Sequence, residues 1–100
     1  MKLIWTEESL NKLIEIEEFI AEDNPIIAAE FIEYLIGKAE RIIENPNSGR
    51  VVPEFSNPRI RELIQKNYRI VYQVSKDKIQ ILTVFEAHRL IRRDEIIKNG

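Results

Sequence analysis

The sequence predicts an α+β fold, a two-layer sandwich in which a helical hairpin packs on a small antiparallel sheet. Three observations indicate it. Apolar residues recur at helical spacing in the first half, two β-rich runs joined by a short turn occupy the second half, and a proline-rich stretch separates the halves. We expect the order β-α-α-β-β-β followed by a short C-terminal segment, with residues 1–100 forming a single domain.

A short strand at residues 3–5 and a first helix are predicted to open the chain. Thr6 is a suitable N-cap, and Glu7 and Glu8 favour the positive end of the helix dipole. The apolar residues that follow have helical spacing: Leu10, Leu13, Ile14, Ile16, Phe19 and Ile20. Residues 23–25 are predicted to end this helix.

The second helix has the clearest periodicity in the chain. Asn24 can cap it, and Pro25 suits its first position. Its apolar residues recur at spacings of three and four: Ala28, Phe31, Ile32, Leu35, Ala39, Ile42 and Ile43. The short link between the two helices predicts an antiparallel hairpin, whose remaining apolar surface needs a sheet to cover it.

Three strands are predicted after residue 60. The runs at residues 68–74 and 79–85 are rich in β-branched and aromatic residues, and a polar turn joins them. A third run, residues 60–65, precedes them. The last strand is apolar on both faces apart from Gln80 and Thr83, so we expect it inside the sheet.

Residues 45–58 are predicted to form a long loop because they are dense in proline, asparagine and glycine. Loops of this length in compact domains are more often functional than not. This one carries Arg50 and Glu54.

Composition limits the possible chemistry. The chain has 100 residues, is 44% hydrophobic and contains no cysteine, which excludes thiol chemistry and cysteine-based metal sites. Neither a cofactor nor a metal is expected. The start of the chain lacks a signal-peptide core, and no apolar run approaches membrane-spanning length. We therefore expect a soluble, cytoplasmic protein with no membrane partner.

Charge divides the chain into two unlike halves. Residues 1–48 contain four Lys or Arg against eleven Asp or Glu, whereas residues 49–100 contain eleven against six. The basic half would attract a polyanion or an acidic peptide. We expect the sheet face away from the helices to be open and rich in arginine. The alternative is that the two halves only neutralise each other.

Several short motifs carry a family resemblance. In chain order they are Asn45-Pro46, Gly49-Arg50, Pro53-Glu54, Arg61-Glu62-Leu63, Tyr68-Arg69-Ile70-Val71-Tyr72 and His88-Arg89. Together they resemble the RelE/ParE toxin superfamily of bacterial type II toxin-antitoxin systems, and the ParE branch most. The resemblance implies a small toxin neutralised by a cognate antitoxin whose C-terminal segment wraps it. For the ParE branch it also implies inhibition of DNA gyrase by binding.

The resemblance leaves a second mode of action open, a RelE/YoeB-like endoribonuclease that cuts mRNA on the ribosome. Such cleavage needs a base, an acid and a positive group for the phosphorane. Glu54, His88 and Arg69 could fill these roles. The lysines that RelE carries before its Tyr-Arg run are here Arg61 and Glu62, and no tyrosine follows Tyr72. This pattern favours a toxin that is not a nuclease, so no catalytic residue is firmly predicted.

Six basic residues are predicted to bind a partner: Arg61, Arg69, His88, Arg89, Arg92 and Arg93. Some candidates also have a purely structural interpretation. Arg69 could pair with Glu62 across neighbouring strands, which we favour for this arginine, and Glu54 could be a solvated loop residue. Tyr68 and Tyr72 are expected in the core or at its rim. A third hypothesis is an attenuated toxin that binds antitoxin without being toxic.

Overall fold

The computed structural model describes residues 1–87, in which two helices pack on one face of a five-stranded sheet. The elements are β1 (Lys2–Trp5), α1 (Glu7–Ala21), α2 (Pro25–Glu40), a 3-10 turn (Arg41–Glu44), β2 (Arg50–Val51), β3 (Ile60–Gln65), β4 (Tyr68–Val74) and β5 (Lys78–Glu86). The predicted fold class is confirmed. No helix within this described range is both long and apolar enough to cross a membrane.

The sheet differs from the prediction in two strands. Its order is β1-β5-β4-β3-β2, and β1 runs parallel to β5, so the sheet is mixed rather than wholly antiparallel. The proline-rich loop contributes β2, whose two residues pair with Glu62 and Arg61 of β3. The antiparallel arrangement of β3, β4 and β5 is confirmed, as is the interior place of β5 between β1 and β4.

Both helices begin at the predicted caps. The Thr6 hydroxyl oxygen accepts a hydrogen bond from the Ser9 amide at 3.2 Å, and the hydroxyl donates to the carbonyl of Ile81 at 2.8 Å. Thr6 therefore starts α1 and also ties it to β5. The Asn24 side chain accepts from the amides of Ile26 and Ile27, which starts α2.

The second helix ends earlier than its periodicity predicts. It stops at Glu40 and tightens into the 3-10 turn, which places Ile42 in the core. The amide of Asn45 donates to the carbonyl of Ile42 at 3.1 Å, and Pro46 then disfavours helical backbone at Asn45. The apolar spacing continues through this turn because a tighter turn still returns Ile42 to the same side.

Apolar residues pack on both faces of the sheet. The main core lies between helices and sheet and contains Leu13, Ile16, Leu35, Ala39, Ile42, Ile70, Tyr72, Ile79, Ile81 and Val84. The opposite face holds a second cluster: Val52, Ile60, Val71, Leu82 and Phe85, with Phe55 against it. The expectation of an open second face is therefore wrong, because the loop folds Val52 and Phe55 onto it.

Candidate functional site

A buried carboxylate is the centre of the site. Glu62 of β3 has a fully buried side chain, and its two oxygens accept from Arg69 Nε at 2.5 Å and Arg50 Nε at 2.6 Å. Glu62 and Arg69 point to the same side of neighbouring antiparallel strands, as the sequence predicted. A buried carboxylate is costly unless paired, so the two guanidinium groups make this position possible.

Glu54 joins the same network from the loop. Its carboxylate accepts from Arg69 Nη1 at 3.1 Å and from Nη2 at 2.9 Å, a two-pronged contact that fixes the planes of both groups. The interpretation of Glu54 as a simply solvated residue is wrong. This contact anchors the loop to β4 through a charge pair, beside the apolar contacts of Val52 and Phe55.

The positive charge of Arg69 is neutralised inside the protein. Its side chain is 4% exposed, and its guanidinium carbon lies 5.6 Å from the centre of the Phe85 ring. Burial lowers the pKa of Arg69, but hydrogen bonds and charges from Glu54 and Glu62 outweigh it, so the pKa is raised. Arg69 therefore stays cationic while two carboxylates neutralise its field.

The preceding part of the loop is held by Tyr72. Its buried hydroxyl accepts from the amide of Gly49 at 2.8 Å and donates to the carbonyl of Pro46 at 2.8 Å. Arg61 Nη1 donates to the carbonyl of Gly49 at 2.9 Å. A Cβ at Gly49 would lie 2.5 Å from the Glu62 carbonyl oxygen, so only glycine fits this approach.

A second cluster pairs lysines with an aromatic ring. Tyr34 of α2 donates its hydroxyl to the Gln65 side chain at 2.7 Å, and Lys38 and Lys66 lie 5.5 and 5.4 Å from its ring centre. Phe31 stacks beside Tyr34 and tilts against Tyr68. Burial, and then the charge of Glu86, raises the pKa of Tyr68.

The structure brings together part of the predicted site. Glu54 and Arg69 are joined, and Arg61 lies half-buried beside Gly49. His88, Arg89, Arg92 and Arg93 lie outside the described residues. Sequence reasoning missed Arg50 as a network member and the burial of Glu62. A signal for Glu62 exists, since it stands between Ile60 and Ile64 at strand spacing on the face that Ile60 buries.

Within the described range no group of three or more His, Asp or Glu side chains is placed to hold a metal ion. The network contains instead two carboxylates and two guanidinium groups in alternating contact. This arrangement can rigidify a binding surface.

Comparison with known proteins decides the family. A family model described as the ParE toxin of the type II toxin-antitoxin system, parDE, matches residues 3–91. The chain belongs to the ParE toxin family. It is a ParE-like toxin of a type II toxin-antitoxin system, as the sequence motifs predicted.

One relative in sequence and one in fold are similar to this ParE-family chain. It is 33% identical over 88 residues to the protein named "Putative toxin Y4kP" of Sinorhizobium fredii (strain NBRC 101917 / NGR234), covering 88% of this chain and 90% of that protein. A solved structure described as the chromosomal ParDE TA system from P. aeruginosa has the same fold. Its TM-score is 0.71 at 21% identity, over 86% of this chain and 95% of that one.

Proposed function

We propose that this ParE-family toxin inhibits DNA gyrase by binding it, and that a cognate antitoxin neutralises it. Family membership supports the toxin role. The observation that favours binding over mRNA cleavage is the ion pair between Glu54 and Arg69, two of the three candidate nuclease residues.

A general base needs a carboxylate oxygen that can accept a proton. Both oxygens of Glu54 accept hydrogen bonds from Arg69, so each already has a donor where a base would need to take up a proton. The same contact occupies the guanidinium edge that would clamp a phosphate. Glu62 adds a second negative charge against Arg69, which disfavours an incoming phosphate.

The antitoxin is proposed to contact the basic half of the toxin. Several cations outside the two helices are exposed: Arg50, Arg59, Lys66 and Lys76. They suit an antitoxin segment that carries acidic and apolar side chains. Arg61, His88, Arg89, Arg92 and Arg93 remain proposed contact residues, whereas Arg69 is proposed to support the surface from beneath because it is almost fully buried.

A supercoiling assay tests the gyrase proposal. Purified toxin at micromolar concentration is expected to inhibit supercoiling, and addition of antitoxin is expected to restore it. Undiminished supercoiling would overturn the proposed target.

Glu54→Gln separates binding from cleavage. The amide still accepts from Arg69 through its oxygen but cannot act as a base, so the variant is expected to inhibit gyrase as the wild type does. Message cleavage on ribosomes by the wild type, abolished in Glu54→Gln, would instead establish the nuclease. Circular dichroism of both proteins controls for folding.

A further inference from the structure

The outer edge of β1 has backbone groups that nothing in the described fold uses. The amide of Lys2 donates to the Asp77 carbonyl and the amide of Thr6 to the Ile81 carbonyl, each at 3.1 Å. In a parallel ladder, alternate residues of a strand bond to the same neighbour. Leu3 and Trp5, the alternate residues, therefore direct their amides and carbonyls away from β5.

This edge has few of the features that usually protect an edge strand. Charged residues, prolines and bulges normally prevent a free edge from pairing with another chain. Here β1 carries one charge, at Lys2, and no proline. Leu3 and Trp5 pack into the main core, whereas Ile4 points to the other face and is 38% exposed.

We propose that β1 pairs antiparallel with β1 of a second copy, in a two-fold dimer whose sheet is continuous through both chains. With the axis at Ile4, Leu3 lies opposite Trp5 of the second copy. Such pairs exchange two backbone hydrogen bonds, which uses the free groups on both chains. Ile4 then faces Ile4 of the second copy in a close pair, and both exposed side chains become buried.

Charge favours antiparallel over parallel pairing of the two β1 strands. In the antiparallel register, Lys2 lies opposite Thr6 of the second copy, next to the start of its α1. Lys2 projects from the same sheet face as Ile4, so in this register each cation lies opposite an uncharged residue. Parallel pairing in register would instead place Lys2 on Lys2. A like-charge pair of this kind is unfavourable.

The helices leave room for the second copy. α1 packs over β5 rather than over the edge strand β1. Since neighbouring strands are about 4.8 Å apart, the two α1 helices would be separated by roughly 14 Å across the dimer. Packed helices need only about 8–10 Å between their axes, so no clash arises.

Single-cysteine variants test the pairing directly, because the chain has no cysteine of its own. Close antiparallel pairs hold their Cα atoms about 4.5 Å apart, within the range that a disulfide spans. Ile4→Cys is therefore expected to form mostly covalent dimer under mild oxidation. Ile64→Cys is the matched control, since Ile64 is 44% exposed on β3, away from β1, and this variant is expected to stay mostly monomeric.

Sedimentation of the isolated toxin, without antitoxin, gives an independent measurement. The wild type is expected to be dimeric at roughly 100 μM, Ile4→Lys to raise the dissociation constant at least about tenfold, and Ile64→Lys to leave it unchanged. A monomeric wild type, or equal cross-linking of both cysteine variants, would overturn the proposal. Neither measurement involves gyrase, so the dimer and the proposed target can fail separately.

Discussion

Glu62 is the residue that links the ion-pair network on the sheet face away from the helices. Its carboxylate is fully buried on β3 between Arg50 and Arg69, and through Arg69 it connects to Glu54 in the loop. Removing one partner of a buried ion pair is far more costly than removing an exposed pair. The members of this network should therefore differ strongly in their effect on stability.

Arg69→Ala is expected to lower the free energy of unfolding by about 3 to 5 kcal/mol, because it leaves Glu62 buried with one remaining partner and removes the contact of Arg69 with Glu54. Arg50→Ala is the control, since Arg50 is largely exposed and its loss leaves Glu62 paired with Arg69. It should cost about 0 to 1 kcal/mol. Urea unfolding of both variants measures the difference, and equal losses would contradict the role assigned to Arg69.

The raised pKa of Tyr68 predicts that the stability of the fold depends on pH in the alkaline range. Burial, and then Glu86, raises its pKa above the ordinary value, so the folded state holds the phenol proton more tightly than the unfolded state. The stability this provides is present below the unfolded pKa and is lost as pH rises through the folded pKa. Tyr68→Phe should lose less stability than the wild type between about pH 8 and pH 11 in urea titrations. Identical pH profiles would argue against this role.

At the scale of elements, the helix caps differ in what else they hold. Thr6 caps α1 and also donates to the Ile81 carbonyl, whereas the Asn24 cap lies exposed at the start of α2. Thr6→Ala should therefore cost about 2 kcal/mol and Asn24→Ala about 1 kcal/mol in unfolding free energy. Thermal and urea unfolding check the order, and a larger loss at Asn24 would show that the contact with β5 contributes nothing.

Alanine substitutions at two glycines are expected to change the stability of the fold in opposite directions. A Cβ at Gly49 would meet the Glu62 carbonyl and the Tyr72 hydroxyl, whereas one at Gly37 in α2 would meet nothing within 4 Å. Gly49→Ala should destabilise by about 1 to 3 kcal/mol, while Gly37→Ala should stabilise by about 0.5 to 1 kcal/mol because alanine favours helix. Unfolding midpoints decide between these signs, and stabilisation by Gly49→Ala would show that the loop can shift freely.

Local patterns explain which elements the sequence could predict. Both helices and the β3-β4-β5 arrangement follow from apolar spacing, caps and a short turn, all of which lie within neighbouring residues. The pairing of β1 with β5 joins segments about 75 residues apart, and no local signal specifies it. β2 is only two residues long, too short for any periodicity to reveal it.

The candidate site was likewise predictable only where two neighbouring strands form it. The pair of Arg69 and Glu62 follows from the positions of two strands that the sequence places side by side. The position of Glu54 depends instead on the path of the loop. Packing of Val52 and Phe55 and the two hydrogen bonds of Tyr72 determine that path, and these contacts exist only in the folded chain.

At the scale of the whole molecule, the two layers differ in charge. The exposed charged side chains of α1 and α2 are all acidic, while the sheet layer and its connections expose Arg50, Arg59, Lys66 and Lys76. An acidic antitoxin segment should therefore approach the sheet layer under electrostatic attraction. Salt screens such attraction.

Association of the toxin with its antitoxin should slow by roughly tenfold between about 0.05 and 0.3 M salt. Arg59→Glu should slow it further at low salt, whereas Glu33→Gln on the helical layer should leave the rate nearly unchanged. Stopped-flow fluorescence measures these rates. An association rate independent of salt would show that the charges of the acidic and basic halves only neutralise each other.

The parallel pairing of β1 with β5 also affects how the toxin is made. The helical layer emerges from the ribosome first, but the strand that lies beneath α1 and secures β1 begins only at Lys78. Until that segment has been synthesised, both helices lack part of the surface they cover. Interrupted translation should therefore release a fragment without β5, which a cell can degrade before it does harm.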